Sequence, residues 1–239
     1  MRGVDTILFD LDGTLLPMDM KEFLKMYLYE VGREFEDLAD TKTFIAYLME
    51  ATQFMLNNDG KKTNSEVFAE KFAIRMDGRI DGYLERFEKF YDKGYMNLKN
   101  FVYPNPLVKN AIETLKNKGY KLVIATNPIF PLKAVIHRII WADLNPADFQ
   151  YITSYEKSRY CKPNINFFLE VLDSIGKEAY HCLMVGNDVQ EDMAANKAGL
   201  HTYLITDHMI NRNEETVDCT YTGDYKDFSE FVEKLPCND

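Results

Sequence analysis

The later part of this 239-residue chain alternates short apolar runs with amphipathic stretches, and that alternation restricts the fold more than any other feature. Residues 121–125, 151–153, 182–185 and 202–205 read as strands, being brief, apolar and bounded by turn residues; 219–221 is a weaker one. Between and after them, 107–118, 132–140, 165–174, 191–198 and 226–235 carry helical spacing. Three of those helices close at Gly119, Gly176 and Gly199. One more strand, 4–9, stands at the start and runs into the turn signal Asp12-Gly13. Strands that alternate with helices pair in parallel, and a parallel sheet needs helices on both faces. The expected class is therefore α/β, a doubly wound parallel sheet.

The stretch from Met18 to Asn100 breaks the alternation. It is helical throughout, with apolar stripes such as Leu24, Tyr27, Leu28 and Val31, and then Ile45, Leu48, Met49 and Thr52. A capping-box pattern from Thr63 to Glu66 opens a third helix, and Tyr83, Leu84, Phe87 and Tyr91 mark a fourth that ends at Gly94. Met and aromatic residues on such stripes are ordinarily core. The simplest organisation is a sheet domain formed by 1–16 and 101–239, with an all-helical domain, 17–100, inserted after the first strand.

The formal net charge is −10. A surface this negative repels a phosphate backbone, so nucleic acid is not an expected partner. A small anionic substrate stays possible where a metal ion reverses the local field. Cys161, Cys182, Cys219 and Cys237 form no Cys-x-x-Cys pair and are too sparse for a disulfide framework, which fits reduced thiols and a cytoplasmic protein. The histidines show no metal-ligand spacing. No run is long enough to span a membrane, and the opening segment is too short for a signal-peptide core.

Ligands of open parallel sheets bind at the carboxyl ends of the strands. Those ends present Asp10 and Asp12, then Thr126 and Asn127, then Lys162, and lastly Asn187, Asp188 and Asp192. Each has a plain reading. Asp12-Gly13 alone is a turn, Lys162 before Pro163 is a solvated lysine, and Asp188 and Asp192 suit a helix start. Asp10 after an apolar run is costly unless a charge compensates it. Together they crowd carboxylates that cannot share one site without a cation, and oxygen donors of this kind suit Mg2+.

In order and content these segments resemble the haloacid dehalogenase-like hydrolase superfamily, in its phosphatase branch. Asp10-Leu11-Asp12-Gly13-Thr14 is similar to the family's first motif, Thr126 to its second, Lys162-Pro163 to its third, and 186–192 to its acidic fourth. The helical insert looks like the family's helical cap. The fourth segment departs from the pattern: Asn187 stands where an Asp often follows the glycine, and Asp188 comes next.

The resemblance implies a magnesium-dependent phosphohydrolase acting on a small phosphorylated metabolite, as a monomer or homodimer. Asp10 is then the nucleophile and Asp12 the acid/base, with Thr126, Asn127 and Lys162 holding phosphate oxygens. Asp10, the Asp12 carbonyl and Asp188 hold the metal, Asp192 directly or through water, with Asn187 the alternative to Asp188. Phosphosugar mutase is an alternative with the same residues, and a non-catalytic phosphate-binding module another. Dehalogenation is disfavoured, since that branch lacks the second Asp. Arg75, Arg79 and Arg86 are read as surface ion-pair residues rather than substrate ligands.

Overall fold

The computed structural model describes residues 3–76, 78 and 80–238. Six strands, β1 Thr6–Phe9, β2 Lys121–Ile124, β3 Tyr151–Ile152, β4 Cys182–Gly186, β5 His201–Ile205 and β6 Tyr221–Gly223, form one sheet in the order β3-β2-β1-β4-β5-β6. Every pairing is parallel, with Phe9 level with Ile124 on one side and Val185 on the other. The α/β class is therefore as expected. β1 lies inside the sheet between β2 and β4 and is buried on both faces. Ile7 and Phe9 join one core with Leu183 and Val185, while Leu8 joins the opposite core with Val123, Met184 and Phe168. The alternation of side chains along a strand sorts even an all-apolar run into two faces.

The helices of the sheet are α5 Pro106–Asn117, α6 Leu132–Trp141, α7 Ile165–Ile175 and α8 Tyr225–Lys234. Those from the inserted stretch are α1 Met20–Glu34, α2 Thr41–Leu56, α3 Asn64–Arg75 and α4 Ile80–Asp92, followed by a 3-10 helix, Gly94–Phe101. Aromatic rings fill their interior: Phe35 stacks on Phe44 with centroids 4.5 Å apart, and Phe72 meets Phe87 edge-on at 5.8 Å. Entry to and exit from this block run side by side. Met18 bridges Val102 in antiparallel fashion, and Tyr103 N–H donates to the Pro17 carbonyl at 3.2 Å.

Two local expectations need correction. The run 191–198 is not an α-helix but a 3-10 turn, Met193–Ala198. The acidic side chains before it take the leading amide groups, so the helix starts late. Asp188 accepts from Gln190 and Glu191 N–H, and Asp192 from Asp188 N–H. The last strand lies two residues later than 219–221. Among the described residues, no helix is long and apolar enough to cross a membrane.

Candidate active site

β1 delivers Asp10 to the carboxyl edge of the sheet, where its N–H donates to the Val185 carbonyl at 2.9 Å. The loop then turns back through Gly13, whose φ of +82° a side chain rarely adopts. A Cβ there would lie 2.5 Å from the Asn187 amide nitrogen, so only glycine lets the first and fourth loops meet. Thr14 closes the contact: its hydroxyl donates to Asn187 Oδ1 at 3.0 Å and lies 3.4 Å from Asp10 Oδ2.

Lys162 is buried and lies between two carboxylates, donating from Nζ to Asp10 Oδ1 at 2.8 Å and to Asp192 Oδ1 at 2.6 Å. Burial would lower its pKa, but Asp10 and Asp192 outweigh that and hold it above the usual lysine value. Asn127 fixes the backbone of this lysine, its Oδ1 accepting from Lys162 N–H at 3.1 Å while its Nδ2 donates to Glu191 at 3.0 Å. Thr126 is buried beside them, its carbonyl held by the Thr153 hydroxyl at 2.7 Å.

Asp12 has a different environment. Its side chain is 12 % exposed and paired with the Arg138 guanidinium from α6. Burial pushes its pKa up to about 6, although Arg138 draws it down. Among the described residues Asp12 Oδ1 and Arg138 Nη2 are buried without a hydrogen-bond partner.

The predicted residues thus converge. Asp10, Asp12, Thr126, Asn127, Lys162, Asn187, Asp188 and Asp192 line one cavity of about 240 Å³. Within it, five carboxylates (those above and Glu191) face two cations, Lys162 and Arg212. Glu191 is pushed up by burial and by Asp188 and Asp10, against the pull of Lys162 and Arg212. Such a cavity repels a phosphate until another cation enters, and its donors are the hard oxygens that Mg2+ takes. Among the described residues no three His, Cys, Asp or Glu side chains form a metal-binding group by themselves. Main-chain and amide oxygens would have to complete such a set. Asp192 has both oxygens engaged, by Lys162 and by Asp188 N–H.

Two arginines were not anticipated. Arg138 is the one charge on the buried stripe of α6, four residues after Ala134; a lone charge at that spacing was the available signal. Arg212 lies in the loop after β5 and grips Asp188 at 2.7 Å and Glu191 at 3.2 Å; the sequence around it carries no such signal. Of the arginines in the helical block, Arg75 pairs with Glu50, and Arg86 with Glu34 and Asp37. Arg79 lies outside the described residues.

The parallel sheet gathers carboxylates and a buried lysine at its carboxyl edge. Residues 4–199 match the model of the haloacid dehalogenase-like hydrolases, and the chain belongs to that family. It is similar to a phosphoglycolate phosphatase of Aquifex aeolicus, 29% identical over 217 residues that cover 90% of each chain. It is also similar to a glyceraldehyde 3-phosphate phosphatase of Methanothermobacter thermautotrophicus, 29% identical over 126 residues, covering 52% of this chain and 54% of that one. The crystal structure of a HAD phosphatase from Thermococcus onnurineus superposes with a TM-score of 0.61 at 18% identity, covering 98% of this chain and 100% of the other, which shows a shared fold.

Proposed function

We propose that the protein is a magnesium-dependent phosphohydrolase that releases phosphate from a small phosphorylated metabolite through an aspartyl-phosphate on Asp10. The observation that carries this reading is a pair of unlike carboxylates on one loop. Asp10 lies against the Lys162 ammonium, and Asp12 is enclosed and able to carry a proton near pH 6. Two carboxylates in different environments can divide nucleophilic and acid/base work. The phosphatase names of the relatives agree with it.

In this reading Asp10 attacks phosphorus in line, and Asp12 protonates the departing alkoxide. Asp12, now ionised, takes a proton from the water that hydrolyses the aspartyl-phosphate. Lys162, the Thr126 hydroxyl and the main-chain N–H of Asn127 hold the non-reacting oxygens, since the Asn127 side chain is already committed. Asp10, the Asp12 carbonyl and Asp188 would hold the metal. Asn187 is the weaker candidate because its oxygen already accepts from Thr14. With both oxygens engaged, Asp192 positions Lys162. When bound, Mg2+ supplies charge neutralisation between Asp10 and the phosphate.

We assign residues 17–100 as the cap and 1–16 with 101–239 as the catalytic core. The two crossing segments, bridged at Met18 and Val102 and bonded at Pro17 and Tyr103, support that division. Four free cysteines support a cytoplasmic location. The test is phosphate release from acetyl phosphate with Mg2+ and with EDTA. Asp10→Asn is expected to remove turnover by roughly a thousandfold or more with an unchanged circular dichroism spectrum. Substantial residual turnover would overturn the nucleophile assignment.

A further inference from the structure

Beside the catalytic cavity lies a second hollow, of about 280 Å³, walled by α1 to α4 and by the loops at Ile129 and Tyr155. The two adjoin. Ile129 lines both, and consecutive Met55 and Leu56 at the end of α2 line one each. A chain of contacts leads the same way. Arg138, paired with Asp12, lies 4.6 Å over the Phe130 ring, and that ring meets Tyr27 edge-on at 5.3 Å. Tyr27 lines the hollow. The carbon side of a phosphate ester at Asp10 therefore has this space next to it.

The chemistry of the hollow is selective. Its walls are aliphatic and aromatic, with hydroxyls such as those of Tyr27 and Tyr91, which bond to each other at 3.1 Å. Its charged lining residues are Glu85 and Glu88, held by Lys89 at 2.7 Å and Lys133 at 2.9 Å, and neither lysine lines the space. The cations of the adjoining cavity are already paired, Lys162 with Asp10 and Asp192, and Arg212 with Asp188 and Glu191. A carboxylate entering the hollow would lose water against aliphatic and aromatic walls, and among the described residues no lysine or arginine lines the space to receive it. An apolar cavity of about 150 Å³ suffices for benzene, so this one takes a single ring with substituents.

We propose that the hollow seats the leaving group, and that the substrate is the phosphate monoester of a non-anionic alcohol with an apolar body of about one ring. This rests on the phosphohydrolase reading and deepens it. It also separates this chain from the phosphoglycolate phosphatases it resembles, whose named substrate carries a carboxylate.

The test is kcat/KM by phosphate release with Mg2+ for acetyl phosphate, benzyl phosphate and 2-phosphoglycolate, in the wild type and in Thr52→Phe, which fills the hollow. Benzyl phosphate is expected to exceed 2-phosphoglycolate by at least about tenfold. Thr52→Phe is expected to lower the ratio of benzyl phosphate to acetyl phosphate by at least about tenfold. Preference for 2-phosphoglycolate, or a ratio unmoved by Thr52→Phe, overturns the proposal and leaves the phosphohydrolase reading intact. Failure to hydrolyse even acetyl phosphate overturns both. If Thr52→Phe does not fold, the wild-type preference decides alone.

Discussion

Arg138 is 1 % exposed, with Nε donating to the Ala134 carbonyl at 3.3 Å and the guanidinium paired with Asp12. A buried pair contributes little relative to apolar replacements, but removing one partner strands the other charge. Arg138→Met is therefore expected to cost about 3 kcal/mol in urea unfolding, and the double variant with Asp12→Leu to recover most of it. An additive double variant would show that the two do not interact. Asp12 also links stability to pH. Its pKa in the fold, about 6, lies above the ordinary aspartate value of 3.8, so between those values the folded state binds more protons than the unfolded. Its burial thus costs stability above pH 6, and that cost vanishes as the pH falls toward 4. In EDTA, the stability of Asp12→Asn minus that of wild type is expected to grow from pH 4 to pH 7, by on the order of 3 kcal/mol. The partner lost to Arg138 adds an offset that is the same at both pH values, and a flat difference would remove Asp12 from the linkage. Asp10 and Asp12 were legible because a strand end and a glycine turn mark them locally, and Lys162 because its order along the chain matches the family's third motif. Arg138 was not, because a single charge on an apolar helix stripe reveals its partner only when the helix is packed.

At the scale of elements, α3 connects the helical block to the site. Its Thr63 N-cap and Glu66 form the reciprocal capping box that the sequence shows. The next residue, Asn64, is fully buried and donates to the Pro128 carbonyl at 3.0 Å and to Cys161 Sγ at 3.3 Å, while accepting from Asn58 at 2.8 Å. Pro128 follows Asn127 and Cys161 precedes Lys162, so this asparagine braces the loops that carry Asn127 and Lys162 from the side of the helical block. Thr63→Ala is expected to cost about 1 kcal/mol and to leave kcat/KM for acetyl phosphate unchanged. Asn64→Ala strands buried donors and acceptors and is expected to cost about 2–3 kcal/mol while also lowering kcat/KM. Equal kinetics in the two variants would show that α3 stabilises without bracing. The capping box was readable because it is local. The role of Asn64 was not, since its partners lie 64 and 97 residues away. The late start at Met193 was missed for a related reason: side chains competing for backbone groups shorten a helix without changing its apolar period.

For the whole molecule, alternation disclosed a parallel sheet with a helical insert, but not the strand order. Parallel strands buried on both faces carry no mark of their neighbours, and the central position of β1 follows from packing alone. What the assembled chain adds is a field: a net charge of −10 and a cavity where carboxylates outnumber cations. An ion that binds only the folded state stabilises it by mass action, by about 2.7 kcal/mol at a hundred times Kd. Mg2+ is therefore expected to raise the thermal midpoint, and EDTA to reverse the rise. The variants locate the ion. Asp188 is already gripped by Arg212, so cation binding must share or release that pair. If Asp188 is the ligand, Asp188→Asn abolishes most of the Mg2+-dependent shift and Asn187→Ala leaves most of it. The reverse pattern would move the ligand to Asn187, with the Thr14 hydroxyl turned away from it. A shift surviving both would place the ion elsewhere, and the crowding of carboxylates around Lys162 would then need another explanation.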